Sequence, residues 1–338
     1  MKTINHLPKI EWIDLKKFED SRNAVLFTSP SAEKECETYL KGINFTRKIY
    51  IQTADKASVE RLTKEQISAD VGYAIGGGRV IDVAKFLAKE WGLEIICVPT
   101  IISSDAFLVD CTGLRENGCV TYIPSKKADR VLLDWKLLKK TPLKYHLSGC
   151  GDVLSIYTGV HDWQYANKQG IVSPDESYSQ SVAVMAKGIL EGLFSEAEEI
   201  RRGTRKGLET IITCLGMEVE LCNFYGNSRP EEGGEHFFAY CIENRTKHFL
   251  HGEIVSLGVL ITAFLQNSDW RKVKEFLDGV NLDYKPNVIN KQIVHDTLQQ
   301  MKNYVKKHKL PYSIYNEFNY EARKDAIDNF LDILKIKD

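Results

Sequence analysis

The sequence predicts an α/β N-terminal domain on a Rossmann-like parallel sheet, residues 1–142, followed by an all-helical C-terminal domain, residues 143–338. Three observations carry this. Short apolar runs alternate with amphipathic stretches over the first 140 residues, at the spacing of strand–helix–strand units. A glycine triplet, Gly76-Gly77-Gly78, stands between an apolar run and a helical pattern. Beyond Thr141-Pro142, helical periodicities dominate and strand-like runs almost disappear. A chain of 338 residues is comfortable for two domains.

Asn23–Thr28 (NAVLFT) reads as the first strand, with a helical pattern around Ala32–Lys41. Lys48–Gln52 reads as a second strand and Ala57–Lys64 as a short helix. Val71–Ile75 runs into the glycines, a helix follows from about Arg79 to Lys89, and Glu94–Val98 and Arg130–Asp134 complete the strands. The later helices are expected over Gly151–Ala166, Ser177–Leu193, Glu196–Cys222, His236–Glu243, Glu253–Gln266, Ile293–Lys307 and Tyr320–Lys335.

Apolar residues make up 43% and charged residues 27%, which suits a folded globular chain and excludes a disordered one. Lys and Arg number 45 against 46 Asp and Glu, so no overall basic field draws the chain to nucleic acid or to an acidic membrane. Any bound anion is expected in a local pocket. The eight cysteines form no C-x-x-C pair, the N-terminal stretch shows no apolar leader core, and no window approaches about 18 apolar residues. A reduced, soluble, cytoplasmic protein is the expectation.

Three side-chain-free residues at Gly76–Gly78 would let a phosphate approach the backbone at a helix start, where free N–H groups and the dipole favour an anion. The triplet is not the G-x-G-x-x-G fingerprint, and a tight turn without ligand fits it too. Val98-Pro99-Thr100 and the following Ile101-Ile102-Ser103-Ser104-Asp105 lie at the next strand's carboxyl end, where open α/β sheets bind ligands. A polar loop capping its own backbone is the alternative. In the helical part, Asp152 in Ser148-Gly149-Cys150-Gly151-Asp152, His236 after Gly233-Gly234-Glu235 and His251 in His251-Gly252-Glu253 each read as standing at a helix start beside glycine. One carboxylate and two imidazoles suit a divalent metal with an open coordination position. Their spacing matches no compact metal motif.

The ordered motifs G-G-G-R-V-I-D-V-A-K, V-P-T-x-x-S-x-D, G-x-G-D-V-L-S, S-R-P-x-x-G-x-E-H and H-G-E, between about residues 70 and 265, resemble the glycerol-1-phosphate dehydrogenase family. That family belongs to the metal-dependent group III alcohol dehydrogenases, with a dehydroquinate synthase-like fold. The resemblance implies a metal, zinc first with iron or nickel as alternatives, on Asp152, His236 and His251. It implies NAD or NADP, with its pyrophosphate over Gly76, Gly77 and Gly78 beside Asp82, and its nicotinamide near Thr100 and Ser103. It implies Asp105 and Asp152 as catalytic groups in contact with substrate. The chain departs from the family pattern at Asp105-Ala106-Phe107, at Val109 in place of a serine, and at Tyr240 in place of a substrate-binding histidine. Glu231-Glu232 replace small residues and would repel a phosphate that they faced.

The expected activity is oxidoreduction between a small polyol or polyol phosphate and its carbonyl form, glycerol 1-phosphate and dihydroxyacetone phosphate first, in an assembly of identical subunits. A glycerol dehydrogenase or another polyol or sugar-alcohol dehydrogenase is the alternative. A dehydroquinate synthase-like cyclase would need basic residues and a G-G-K-T-like stretch where this chain has Cys111-Thr112-Gly113-Leu114. A scaffold without catalysis would predict loss of a ligand or of the glycines, and all are present.

Overall fold

A computed structural model describes residues 6–65 and 67–338, and these form two compact units, 6–146 and 147–338. The N-terminal unit runs β1 (Lys9–Trp12), β2 (Asp20–Thr28), α1 (Pro30–Cys36), β3 (Ile43–Tyr50), α2 (Lys56–Leu62), β4 (Val71–Gly76), α3 (Gly78–Glu90), β5 (Glu94–Pro99), β6 (Cys111–Glu116), β7 (Cys119–Pro124), β8 (Arg130–Leu133) and α4 (Trp135–Lys140). Six strands form one parallel sheet in the order β1-β8-β5-β4-β2-β3. β4 lies inside it, buried along its whole length and paired Ala24↔Val71 with β2 and Val71↔Glu94 with β5. From β2 the chain winds outward to β3, then returns to β4 and winds the other way. The switch point therefore lies between β2 and β4, where open sheets take ligands at their carboxyl ends.

Several elements depart from the sequence reading. β3 starts at Ile43, five residues before the expected Lys48, because an edge strand with one wet face buries only Ile43 and Ile49 fully. α1 stops at Cys36, where the Tyr39 amide donates back to the Cys36 carbonyl at 2.7 Å. β1 is four residues of mixed polarity, too short for periodicity to reveal. β6 and β7 form an antiparallel hairpin outside the main sheet. Its turn, Asn117-Gly118, has φ of 53° and 78°, the primed geometry that Asn-Gly favours.

The division between units falls at 146/147 rather than 142/143. His146 accounts for the difference. It is buried, its Nδ1 accepts from the Ile102 amide at 3.1 Å, and its Nε2–H donates to the Leu138 carbonyl at 3.0 Å. The first turn of helix α5 (Leu143–Leu154) is thereby tied to the loop after β5.

The C-terminal unit continues with α6 (Ile156–Lys168), α7 (Gln180–Ser195), α8 (Ala197–Arg201), α9 (Arg205–Tyr225), α10 (Gly234–Ile242), α11 (His251–Leu265), α12 (Trp270–Val280), α13 (Lys291–Lys307) and α14 (Tyr320–Leu334). α11 is the central helix: 12 of its 15 residues are buried, so it is apolar nearly all round. The single helix expected over Glu196–Cys222 is two, separated at Gly203, whose φ is 59°. α12 escaped the sequence reading. No described helix is long and apolar enough to cross a membrane, and no disulfide joins the eight cysteines.

Burial holds the His146 imidazole below its ordinary pKa, in keeping with the acceptor role of Nδ1. His146→Ala leaves the Ile102 N–H without its partner, while the Leu138 C=O keeps the Thr141 amide, at a cost of about 1–3 kcal/mol. A base with a depressed folded-state pKa stabilises most above its unfolded value, about 6.5, and loses that advantage as pH falls. Urea unfolding at pH 7.5 and 5.5 should therefore show a smaller gap between wild type and variant at the lower pH.

Candidate active site

Asp152 is in the last turn of α5, not at a helix start as the glycine-rich sequence suggested. The glycines around it serve packing rather than capping. A Cβ on Gly151 would lie 2.2 Å from the Gly252 carbonyl oxygen, and one on Gly252 would lie 1.8 Å from the Ser148 carbonyl oxygen. α5 and the start of α11 thus touch backbone to backbone, and the Gly252 amide donates to Ser148 Oγ at 2.9 Å. The helix expected over Gly151–Ala166 breaks at Ser155, whose hydroxyl donates to the Asp152 carbonyl at 2.6 Å.

His251 opens α11, with Glu253 Oε2 accepting from the Leu250 amide at 2.8 Å. His236 lies in the first turn of α10. The structure brings all three side chains together. Asp152 Oδ1 is 3.4 Å from His236 Nε2 and 3.6 Å from His251 Nε2, and one donor atom from each residue lies within 4.8 Å of the others. Two donors about 2.0–2.1 Å from a tetrahedral ion stand about 3.3 Å apart, so this spacing fits such an ion. Burial pushes the Asp152 carboxyl up, but the two imidazoles beside it more than reverse this and hold it below the usual carboxylate range. Burial lowers His236, yet Asp152 and Glu235 outweigh it and raise the imidazole well above its ordinary value.

Glu235, fully buried, accepts from the Gly233 amide at 2.6 Å and from Thr158 Oγ1 at 2.6 Å, and its Oε1 is 3.1 Å from His236 Nδ1. Asp162 accepts from the Gly234 and Ile314 amides and from Gln266. Its burial, with Glu235 nearby, pushes its pKa up to about 7. Tyr240 is buried beside His236, their rings 5.8 Å apart, and its hydroxyl donates to Glu232 Oε1 at 2.7 Å. Glu232 also accepts from Ser228 Oγ. Thr158 and Gln266 gave no signal in sequence, because each gains its role only from a helix distant along the chain.

In the N-terminal unit, the Gly76–Gly78 turn joins β4 to α3, and Gly77 caps the helix with extended backbone and no side-chain cap. A Cβ on Gly77 would lie 2.7 Å from Ile101, and one on Gly78 would lie 2.9 Å from Ser104 Oγ and 3.9 Å from Ser103 Oγ. The turn and the loop carrying Thr100, Ser103 and Asp105 therefore form one surface, joined by the Thr100 amide donating to the Gly76 carbonyl at 3.0 Å. Asp82 turns elsewhere, 3.4 Å from Lys85 and bonded to the Gly113 amide, with burial raising its carboxyl. Lys85 is fully buried and donates to the Val109 and Cys111 carbonyls at 2.9 and 2.8 Å, fixing the end of the loop.

The family model described as iron-containing alcohol dehydrogenase matches residues 18–142. Glycerol-1-phosphate dehydrogenase (NAD(P)+) of Aeropyrum pernix is 30% identical over 251 residues, 74% of this chain and 69% of its own. The enzyme of that name from Pyrococcus furiosus is 30% identical over 258 residues, 75% of this chain and 73% of its own. Glycerol dehydrogenase from Schizosaccharomyces pombe superposes with a TM-score of 0.68 at 18% identity, covering 98% of this chain and 91% of that one. ValA, 2-epi-5-epi-valiolone synthase from Streptomyces hygroscopicus, superposes with a TM-score of 0.67 at 14% identity, covering 98% of each. Those two likenesses establish the fold, a parallel-sheet unit followed by a helical one, as dehydroquinate synthase-like. The chain belongs to the glycerol-1-phosphate dehydrogenase family of the iron-containing alcohol dehydrogenases.

The contact of α5 with α11 has a direct test. Gly151→Ala should destabilise the fold by about 1–3 kcal/mol, because the new methyl meets backbone that cannot rotate away. Chemical denaturation measures this, and a variant as stable as wild type would refute the backbone contact.

Proposed function

We propose that the protein is an NAD(P)-dependent, metal-assisted oxidoreductase acting on a small polyol phosphate, with dihydroxyacetone phosphate and glycerol 1-phosphate as the pair best named by its relatives. The observation that carries this is the convergence of Asp152, His236 and His251 from three helices. Their donor set suits zinc, with iron or nickel as alternatives, and they would hold the ion with a position left for substrate. Such an ion, when bound, polarises the alcohol or carbonyl oxygen of the substrate. NAD or NADP supplies the hydride chemistry.

The chain's own residues bind and orient. The open backbone at Gly76, Gly77 and Gly78 and the uncapped start of α3 favour a pyrophosphate. Thr100 and Ser103 offer hydroxyls to the nicotinamide end, and Asp105, with Asp152, serves the substrate's hydroxyls. Asp82 is engaged by Lys85 and Gly113, so its part is to support α3 rather than to touch the cofactor. An assembly of identical subunits in the cytoplasm completes the reading.

One observation favours a second substrate, an unphosphorylated polyol. Tyr240 stands where the family places a histidine, and its hydroxyl is committed to the Glu232 carboxylate, so Tyr240 itself offers a phosphate no cation. Tyr240→His should raise kcat/KM for dihydroxyacetone phosphate relative to dihydroxyacetone about tenfold, the worth of one charge-assisted contact. An unchanged ratio would remove Tyr240 from substrate selection.

Metal content by elemental analysis, with turnover in parallel, tests the main reading. Wild type should hold about one ion per chain. His236→Ala and His251→Ala should lose both the ion and nearly all turnover while retaining dinucleotide binding. His295→Ala, altered beside Tyr320 and Asp328, should keep both. Full occupancy and activity in either ligand variant refutes the triad.

A further inference from the structure

We infer that Glu235 is the positioning residue of the metal centre, holding His236 so that Nδ1 carries the proton and Nε2 is the nitrogen presented beside Asp152; this rests on the metal reading above. Glu235 is wholly buried, and both of its carboxylate oxygens are committed. Oε2 accepts from Thr158 Oγ1 of α6 at 2.6 Å, while Oε1 accepts from the Gly233 amide at 2.6 Å and lies 3.1 Å from His236 Nδ1. Its backbone is clamped as well, since a Cβ on Gly258 of α11 would lie 2.5 Å from the Glu235 carbonyl oxygen. The carboxylate therefore cannot swing away from the ring.

Oε1 already accepts the Gly233 N–H and so is an acceptor oxygen, and the ring nitrogen facing it must be the one bearing hydrogen. That leaves the Nε2 lone pair for an ion, on the side where Asp152 Oδ1 stands 3.4 Å away. A carboxylate behind a ligating imidazole also raises its basicity, and loss of such a partner typically costs 10–100-fold in metal affinity. The bland alternative is that Glu235 merely caps the start of α10 through the Gly233 amide. That role would not require the same oxygen to face Nδ1.

The experiment strips the protein with a chelator and titrates zinc against a chromophoric competitor, for wild type, Glu235→Leu, Glu235→Gln and His251→Ala. Zinc-loaded samples labelled with 15N at histidine report which ring nitrogen bears the proton. Wild type should show His236 protonated at Nδ1. Glu235→Leu should bind zinc about 10–100-fold more weakly. Glu235→Gln, whose amide oxygen can still accept from Nδ1, should keep the Nδ1 proton and lose less affinity. A folded Glu235→Leu within about twofold of wild type, or a wild-type spectrum with the proton on Nε2, overturns the inference. If Glu235→Leu fails to fold, the wild-type spectrum and Glu235→Gln decide, and a Gln variant that binds zinc at full strength with its Nδ1 proton gone overturns it. Loss of zinc in His251→Ala alone sinks the role of Glu235 but spares the metal reading. No zinc binding by wild type, or full binding by His251→Ala, sinks the metal reading and this inference with it.

Discussion

The candidate metal centre depends on two backbones touching. Gly151 and Gly252 let α5 and α11 approach without any side chain between them, and this sets Asp152 beside His251. Everything else in the site is built outward from that contact. Ser155 bends the chain immediately after Asp152, and Glu253 closes the start of α11 immediately after His251. The third donor arrives on α10, which packs on the buried central helix. A carboxylate between two imidazoles in so dry a place would be costly without mutual compensation. The three groups supply that compensation to one another, and Glu235 extends it behind His236.

The N-terminal unit solves a different problem, holding an irregular loop still at the edge of a regular sheet. Strand order places the glycine turn next to the switch point, and no N-cap side chain bonds the first amides of α3. The loop after β5 has no helix to stiffen it at once. His146 grips it by the Ile102 amide, and Lys85 grips its far end by two carbonyls. Both residues are buried polar groups used as fasteners, each satisfied by main-chain atoms rather than by another charge alone.

Much of this was legible in sequence. Central strands such as β4 and β5 are continuous apolar runs, and Gly76–Gly78 marks the turn between β4 and α3 by composition alone. Edge elements were less legible, since β1 and β3 bury one face or less and carry the charges of the surface. Asn117-Gly118 was the available sign of the β6–β7 hairpin. The ordered motifs point to Asp152, His236 and His251, yet glycine beside Asp152 marks close helix packing and not a helix start. Thr158, Gln266 and Glu235 take their roles from partners up to 108 residues away, a distance local pattern cannot bridge.

Lys85 bonds the carbonyls of Val109 and Cys111 and no side chain of the loop. A fastener that reads only main chain is indifferent to which residues it holds. Ala106, Phe107 and Leu108 are buried and held by packing as well, but the half-buried Val109 is free to exchange its side chain while the path of the main chain is kept. The loop is a fixed frame with a replaceable position in it, so a change at Val109 could retune its surface without first rebuilding the fold beneath it.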